Sequence, residues 1–100
     1  MIKDPDISHI SRSDFDKIYE PAEDSFLLMD AVKADLPFLL PRLSRAPMCL
    51  EVGSGSGFVG AYVSSLIPNS FFYATDINPH AVAVSGETYR RNKVSLRTTR

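Results

Sequence analysis

Glu51-Val52-Gly53-Ser54-Gly55-Ser56-Gly57 decides how this chain is read. The apolar run Met48-Cys49-Leu50 leads into it, and an apolar helix pattern from Phe58 to Ile67 leads out of it. Strand, glycine-rich turn, helix is the order in which open α/β folds build a nucleotide or nucleoside site. Glycines let such a turn fold tightly and bring backbone N–H groups close to a ligand. Farther on, Asp76 ends the next apolar run, Phe71-Phe72-Tyr73-Ala74-Thr75. That is where the second strand of such a fold sets a carboxylate against ribose hydroxyls.

Upstream of the turn, residues 1–18 show no sustained period and read as a loose arm, docked through Phe15 and Ile18. His9 in this arm has no second ligand at suitable spacing and reads as a surface or incidental residue rather than a metal ligand. Tyr19-Glu20-Pro21-Ala22-Glu23-Asp24-Ser25-Phe26 follows. Pro21 suits the first helical position, and Glu20, Glu23 and Asp24 complement the helix dipole. An amphipathic helix is expected from there to Leu36-Pro37, where proline should close it. Met48–Val52 is nearly all apolar and reads as a buried parallel strand containing a structural Cys49.

Downstream, the helix from Phe58 is apolar nearly all round and should be well covered. Asn78 is a good N-cap and Pro79 a good first residue for another helix, carried by Ala81, Val82, Val84 and Tyr89 to about Asn92. His80 in its first turn reads as exposed. Lys93-Val94-Ser95-Leu96 reads as the start of a third strand. The basic close, Arg90, Arg91, Lys93, Arg97 and Arg100, reads as solvated surface rather than a nucleic-acid patch.

The chain has 100 residues, 44% hydrophobic and 23% charged, an ordinary globular composition for one domain at most. A net charge of −1 gives no electrostatic case for nucleic acid. A single cysteine excludes an internal disulfide and suits a reducing compartment. No secretory pattern is visible, and the apolar runs fall far below the ~20 residues of a membrane helix. The expected address is the cytoplasm, with nuclear access possible, and no membrane.

Gly55-Ser56-Gly57-Phe58-Val59-Gly60 matches G-x-G-x-x-G, which alone would also admit a dinucleotide. Glu51 argues for a different ligand. A carboxylate two residues before the first glycine repels a pyrophosphate and favours an ammonium or sulfonium. S-adenosylmethionine carries both, with a ribose for Asp76. An NAD-type binding module is the disfavoured alternative.

Three segments now carry a resemblance: Tyr19-Glu20-Pro21-Ala22-Glu23-Asp24-Ser25-Phe26, Leu50-Glu51-Val52-Gly53-Ser54-Gly55-Ser56-Gly57 and Thr75-Asp76-Ile77-Asn78-Pro79. Together, over about Tyr19 to Lys93, they resemble the eukaryotic and archaeal HemK/PrmC-type class I methyltransferases. The nearest branch is the catalytic subunit that methylates the glutamine of the Gly-Gly-Gln loop in the class I translation termination factor. The glycine motif is shared by many class I methyltransferases; the Glu-Pro-Ala-Glu-Asp-Ser segment is far more specific. The resemblance implies an α/β, Rossmann-like fold and S-adenosyl-L-methionine as methyl donor. It places Ser25 and Gly55 against the cofactor, Glu51 and Gly53 around its methionine part, and Asp76 on its ribose. It also implies a heterodimer with a small zinc-binding activator subunit. Lysine or DNA adenine N6 methylation are alternative activities of the same family.

The family's Asn-Pro-Pro-Tyr signature, which holds the target amide, has no counterpart; the one Asn-Pro is Asn78-Pro79. The acid expected after strand three is absent too. The expectation is therefore an amino-terminal arm (1–18) and a partial cofactor-binding domain (19–100) truncated at the start of strand three. No catalytic residue and no metal ligand is assigned within it. A non-catalytic form that competes for the activator subunit, or a chain that does not fold stably alone, are the rival readings.

Overall fold

Strand and helix alternate along the chain because its apolar period alternates between two and three to four residues. The structure, a computed structural model, describes residues 4–99, and only the backbone over Leu96–Thr99. Its regular elements are α1 (Glu23–Leu39), β1 (Met48–Val52), α2 (Phe58–Leu66), β2 (Phe71–Thr75), α3 (Pro79–Arg91) and β3 (Leu96–Thr99). The three strands form one parallel sheet in the order β1-β2-β3. Met48 pairs with Phe71 and Val52 with Thr75; Phe72 pairs with Leu96 and Thr75 with Thr99. This is part of a Rossmann-like α/β fold, as the glycine turn implies.

Two apolar clusters hold the helices on one face of the sheet. Met29 of α1 packs with Phe58, Tyr62, Leu66 and Ile67. The Phe26 and Phe58 rings meet edge to face, 5.7 Å between centroids. Ala61, Phe72, Ala74, Tyr89 and Val94 form the second cluster, and Cys49 touches both. The opposite face differs from the sequence expectation. β1 is not buried throughout: Met48, Leu50 and Val52 are 75%, 67% and 77% exposed, and Phe71 and Tyr73 beside them are also exposed. The helices of the described residues cover only the face that carries Cys49, Glu51, Phe72 and Ala74, so β1 alternates.

α1 also departs from expectation. It starts at Glu23 rather than at Pro21, and it runs through Pro37 to Leu39 before a short 3-10 turn, Leu40–Arg42. Proline removes only the bond to the Lys33 carbonyl, and Lys33 is exposed, so water can take that acceptor. Arg42 then secures the end, donating to the Phe38 carbonyl at 2.6 Å and lying 3.7 Å over its ring. The third strand begins at Leu96 rather than Lys93; Lys93 adopts a left-handed φ of 58° and turns the chain out of α3.

The arm lies along α3, and its anchors are as much polar as apolar. Ile18 is buried and Phe15 half-buried. Asp6 N–H donates to Asn92 Oδ1 at 2.8 Å, and Asn92 Nδ2 donates back to the Asp6 carbonyl at 2.9 Å. His9 is not a surface residue: its Nε2 lies 3.1 Å from the Thr88 hydroxyl and 3.3 Å from the Val84 carbonyl. His80 is not free either; its Nε2 meets Asp14 Oδ1 at 2.9 Å. Sequence separations of 66 to 86 residues hid these pairs from any local reading.

Candidate functional site

A cleft of about 460 Å³ runs along the edge of β1 that carries no partner strand among the described residues. α1 and the chain entering it form one wall, and the glycine turn and α2 form the other. Four of the five residues singled out from sequence, Ser25, Glu51, Gly53 and Gly55, line it together. Asp76 is not on the wall itself. Its Oδ2 accepts from the Gly55 N–H at 3.0 Å, directly behind the turn.

The turn is glycine-rich for two different reasons. Gly53 and Gly55 have φ of +78° and +54°, where a side chain is strained, and a Cβ there would meet nothing within 4 Å. Their backbone therefore faces open space. Gly60 allows a close approach instead: a Cβ there would overlap both Glu51 Oε1 and the Tyr89 hydroxyl.

Most N–H groups of the turn are engaged within the protein rather than left free for a phosphate, in line with the preference for S-adenosylmethionine over a dinucleotide. Gly53 N and Ser54 N both donate to the Thr75 carbonyl, at 2.8 and 3.1 Å. Gly57 N donates to the Ser54 carbonyl at 2.8 Å, and Phe58 N to Ser56 Oγ at 3.2 Å. Gly55 N is held by Asp76. These donors are satisfied within the protein and weld the end of β1 to the end of β2.

The cleft is acidic. Among the described residues its lining includes Glu51 and Asp24 and no lysine, arginine or histidine. Burial pushes the Glu51 carboxyl above the usual range and the Asp76 charge adds to this; the Tyr89 hydroxyl and the Gly60 N–H beside it pull the other way. Across the cleft, the Tyr19 hydroxyl donates to Asp24 Oδ1 at 2.7 Å. Ser25 Oγ accepts from the Ala22 N–H at 3.2 Å, fixing the hydroxyl at the helix start. Tyr89 is the residue that sequence reading misses, since along the chain it shows only as part of an apolar stripe. A buried tyrosine needs a hydrogen-bond partner, which was the available signal.

The profile described as methyltransferase small domain matches residues 29–100. The chain belongs to the methyltransferase small domain family. It is similar to methyltransferase HEMK2 of Homo sapiens, 48% identical over 89 residues, covering 88% of this chain and 40% of the human protein. It is similar also to the eRF1 methyltransferase catalytic subunit mtq2 of Schizosaccharomyces pombe, 30% identical over 97 residues, covering 93% of this chain and 42% of the yeast protein. The chain thus spans about two fifths of the length of these relatives. A putative O-methyltransferase from Klebsiella pneumoniae shares the fold, with a TM-score of 0.60 at 16% identity, over 98% of this chain and 44% of that one. Membership supports S-adenosylmethionine as the cofactor. Among the described residues, no His, Cys, Asp or Glu cluster could hold a metal, and no helix is long and apolar enough to cross a membrane.

Proposed function

We propose that the cleft is the cofactor site of an S-adenosylmethionine-dependent methyltransferase that acts on the glutamine of the Gly-Gly-Gln loop of the class I peptide chain release factor. The observation that carries the cofactor reading is the pairing of an acidic cleft, with no cationic side chain among its described lining residues, and a glycine turn in which the Gly53, Ser54, Gly55, Gly57 and Phe58 N–H groups are already engaged. A pyrophosphate would find those five amides engaged and would face Glu51 and Asp24. A zwitterionic, sulfonium-bearing ligand finds a compensating carboxylate instead.

Bound S-adenosylmethionine supplies an electrophilic methyl group on a sulfonium. Glu51 faces the cationic methionine end, with the open backbone of Gly53 and Gly55 giving that end close approach. Asp76 holds the ribose. Each of its oxygens accepts one backbone hydrogen bond, from Gly55 N and Asn78 N, and keeps a further lone pair for a hydroxyl. Ser25 and the Tyr19–Asp24 pair close the cleft from α1. The chain supplies no Asn-Pro-Pro-Tyr segment, and no catalytic residue is assigned to it. The glutamine substrate rests on the resemblance and on the name of the fission yeast relative. The zinc-binding activator subunit as partner rests on the resemblance alone.

Equilibrium dialysis of the chain against labelled S-adenosylmethionine and NAD tests this reading, with circular dichroism to establish that the chain is folded. Saturable S-adenosylmethionine binding is expected, weakened at least about tenfold by Glu51→Gln, which corresponds to about 1.4 kcal/mol. Glu51→Gln should melt no lower than wild type at pH 7. The ionised form is disfavoured in the folded state, so stability falls as pH rises through the raised Glu51 titration, and glutamine escapes that loss. Preferential NAD binding, or unchanged affinity in Glu51→Gln, would overturn the cofactor assignment.

A further inference from the structure

Tyr89 has no place in the cofactor reading so far. It is fully buried on α3, among Ala61, Phe72, Ala74 and Val94. Its ring serves that core, but its hydroxyl leaves the core and donates to Glu51 Oε1. The helix α2 makes room for this contact by having Gly60 where any side chain would strike both groups. A phenylalanine would fill the core equally well; the hydroxyl is there for the carboxylate.

We infer that Tyr89 is a positioning residue, whose hydroxyl fixes the Glu51 carboxylate and keeps it ionised for a cationic ligand. This rests on the assignment of Glu51 to the methionine end of the cofactor. The groups around Glu51 make a donor necessary. Asp76 at the end of β2 and Asp24 across the cleft are like charges, and Tyr19 and Cys49 carry none at neutral pH. α2 contributes the Gly60 N–H and no charged side chain. Tyr89 itself remains protonated, since burial and the Glu51 charge raise its hydroxyl far above the usual range. The donor is therefore permanent over the working pH range.

The test measures S-adenosylmethionine affinity from pH 5 to 9 for wild type, Tyr89→Phe and Glu51→Gln. The ligand's own titration is common to all three and cancels in affinity ratios. Losing the donor raises the Glu51 carboxyl. The loss in Tyr89→Phe should then be small at pH 9 and grow as pH falls, to about tenfold for each unit by which the carboxyl rises. Glu51→Gln should remove this pH dependence. A Tyr89→Phe loss that is uniform across pH, or absent, with Glu51→Gln still weak, overturns the inference and leaves the cofactor reading standing. Glu51→Gln binding like wild type overturns the cofactor reading and the inference with it. If Tyr89→Phe does not fold, Tyr89→3-fluorotyrosine replaces it. A more acidic phenol is a stronger donor, so the pH dependence must move down; an unmoved profile overturns the inference.

Discussion

Glu51 and Asp76 end neighbouring parallel strands, and the two strand ends are built differently. Asp76 is held by backbone: Gly55 N on one oxygen at 3.0 Å, Asn78 N on the other at 2.9 Å. Glu51 is held by the Tyr89 hydroxyl and sits partly buried beside Gly60, with burial working against its charge. One carboxylate is therefore part of the scaffold that ties two turns together. The other is a partly buried carboxylate whose charge is opposed by desolvation and by Asp76. The same side-chain chemistry at the same edge of a sheet is fixed by two backbone amides in one place and by a buried tyrosine hydroxyl in the other.

The most damaging way to disturb this contrast is Gly60→Ala. The new methyl would have to share space with Glu51 Oε1 and the Tyr89 hydroxyl, and α2 cannot shift without unpacking Phe58 and Tyr62. A loss of about 2–3 kcal/mol is expected from overpacking, read as a lowered melting temperature. A variant that melts with wild type would show that the β1 end is looser than its geometry.

Asp76→Ala should come next, at about 1–3 kcal/mol, because it leaves two turn amides without their acceptor. Thermal melting and cofactor affinity should fall together. In Glu51→Gln affinity alone should fall. If Asp76→Ala melts normally, the distinction collapses between a carboxylate that ties two turns together and one that does not.

These particular residues also mark what could be read in the chain. The glycine turn, Asp76 and the Asn78-Pro79 helix start were legible because each depends on neighbours within a few positions; Asn78 does cap α3, accepting from His80 N at 3.0 Å. Ser25 was legible only through a family motif. The Glu51–Tyr89 contact joins residues 38 apart, and the His9 and His80 partners lie farther still, so local period and composition carry no trace of them. Strand β1 misled for another reason. Apolar residues on both of its sides signal what a strand can bury, and the described residues cover only one side.

Asn78 sharpens the comparison on the β2 side, because its two side-chain atoms do separate things. Oδ1 caps α3, while Nδ2 donates to the Lys17 carbonyl at 2.9 Å and so ties the arm to the turn that carries Asp76. Asn78→Ala removes both and should cost about 1 kcal/mol through the cap. Asn78→Asp keeps the acceptor and loses the donor. Hydrogen exchange should then quicken in the arm while the first turn of α3 stays protected. Equal exposure of both segments would mean that cap and latch are one unit.

The smallest expected effect lies farthest from both carboxylates, at Glu87. Arg90 and then Arg91 hold its carboxyl down at about 2. A lowered acid contributes stability that is fully present above its ordinary value of 4.5 and is lost as pH falls through about 2. Yet Arg90 is exposed and Glu87 and Arg91 are in part open to solvent, and such pairs within one helix are screened and weak. Glu87→Gln should therefore lower the melting temperature slightly at pH 7 and low salt, and not at all in 1 M salt or below pH 2. A salt-independent loss would mean that Glu87 supports α3 by packing rather than by charge. The acid would then belong with Asp76, as scaffold, and the division drawn between the two strand ends would extend along the helix.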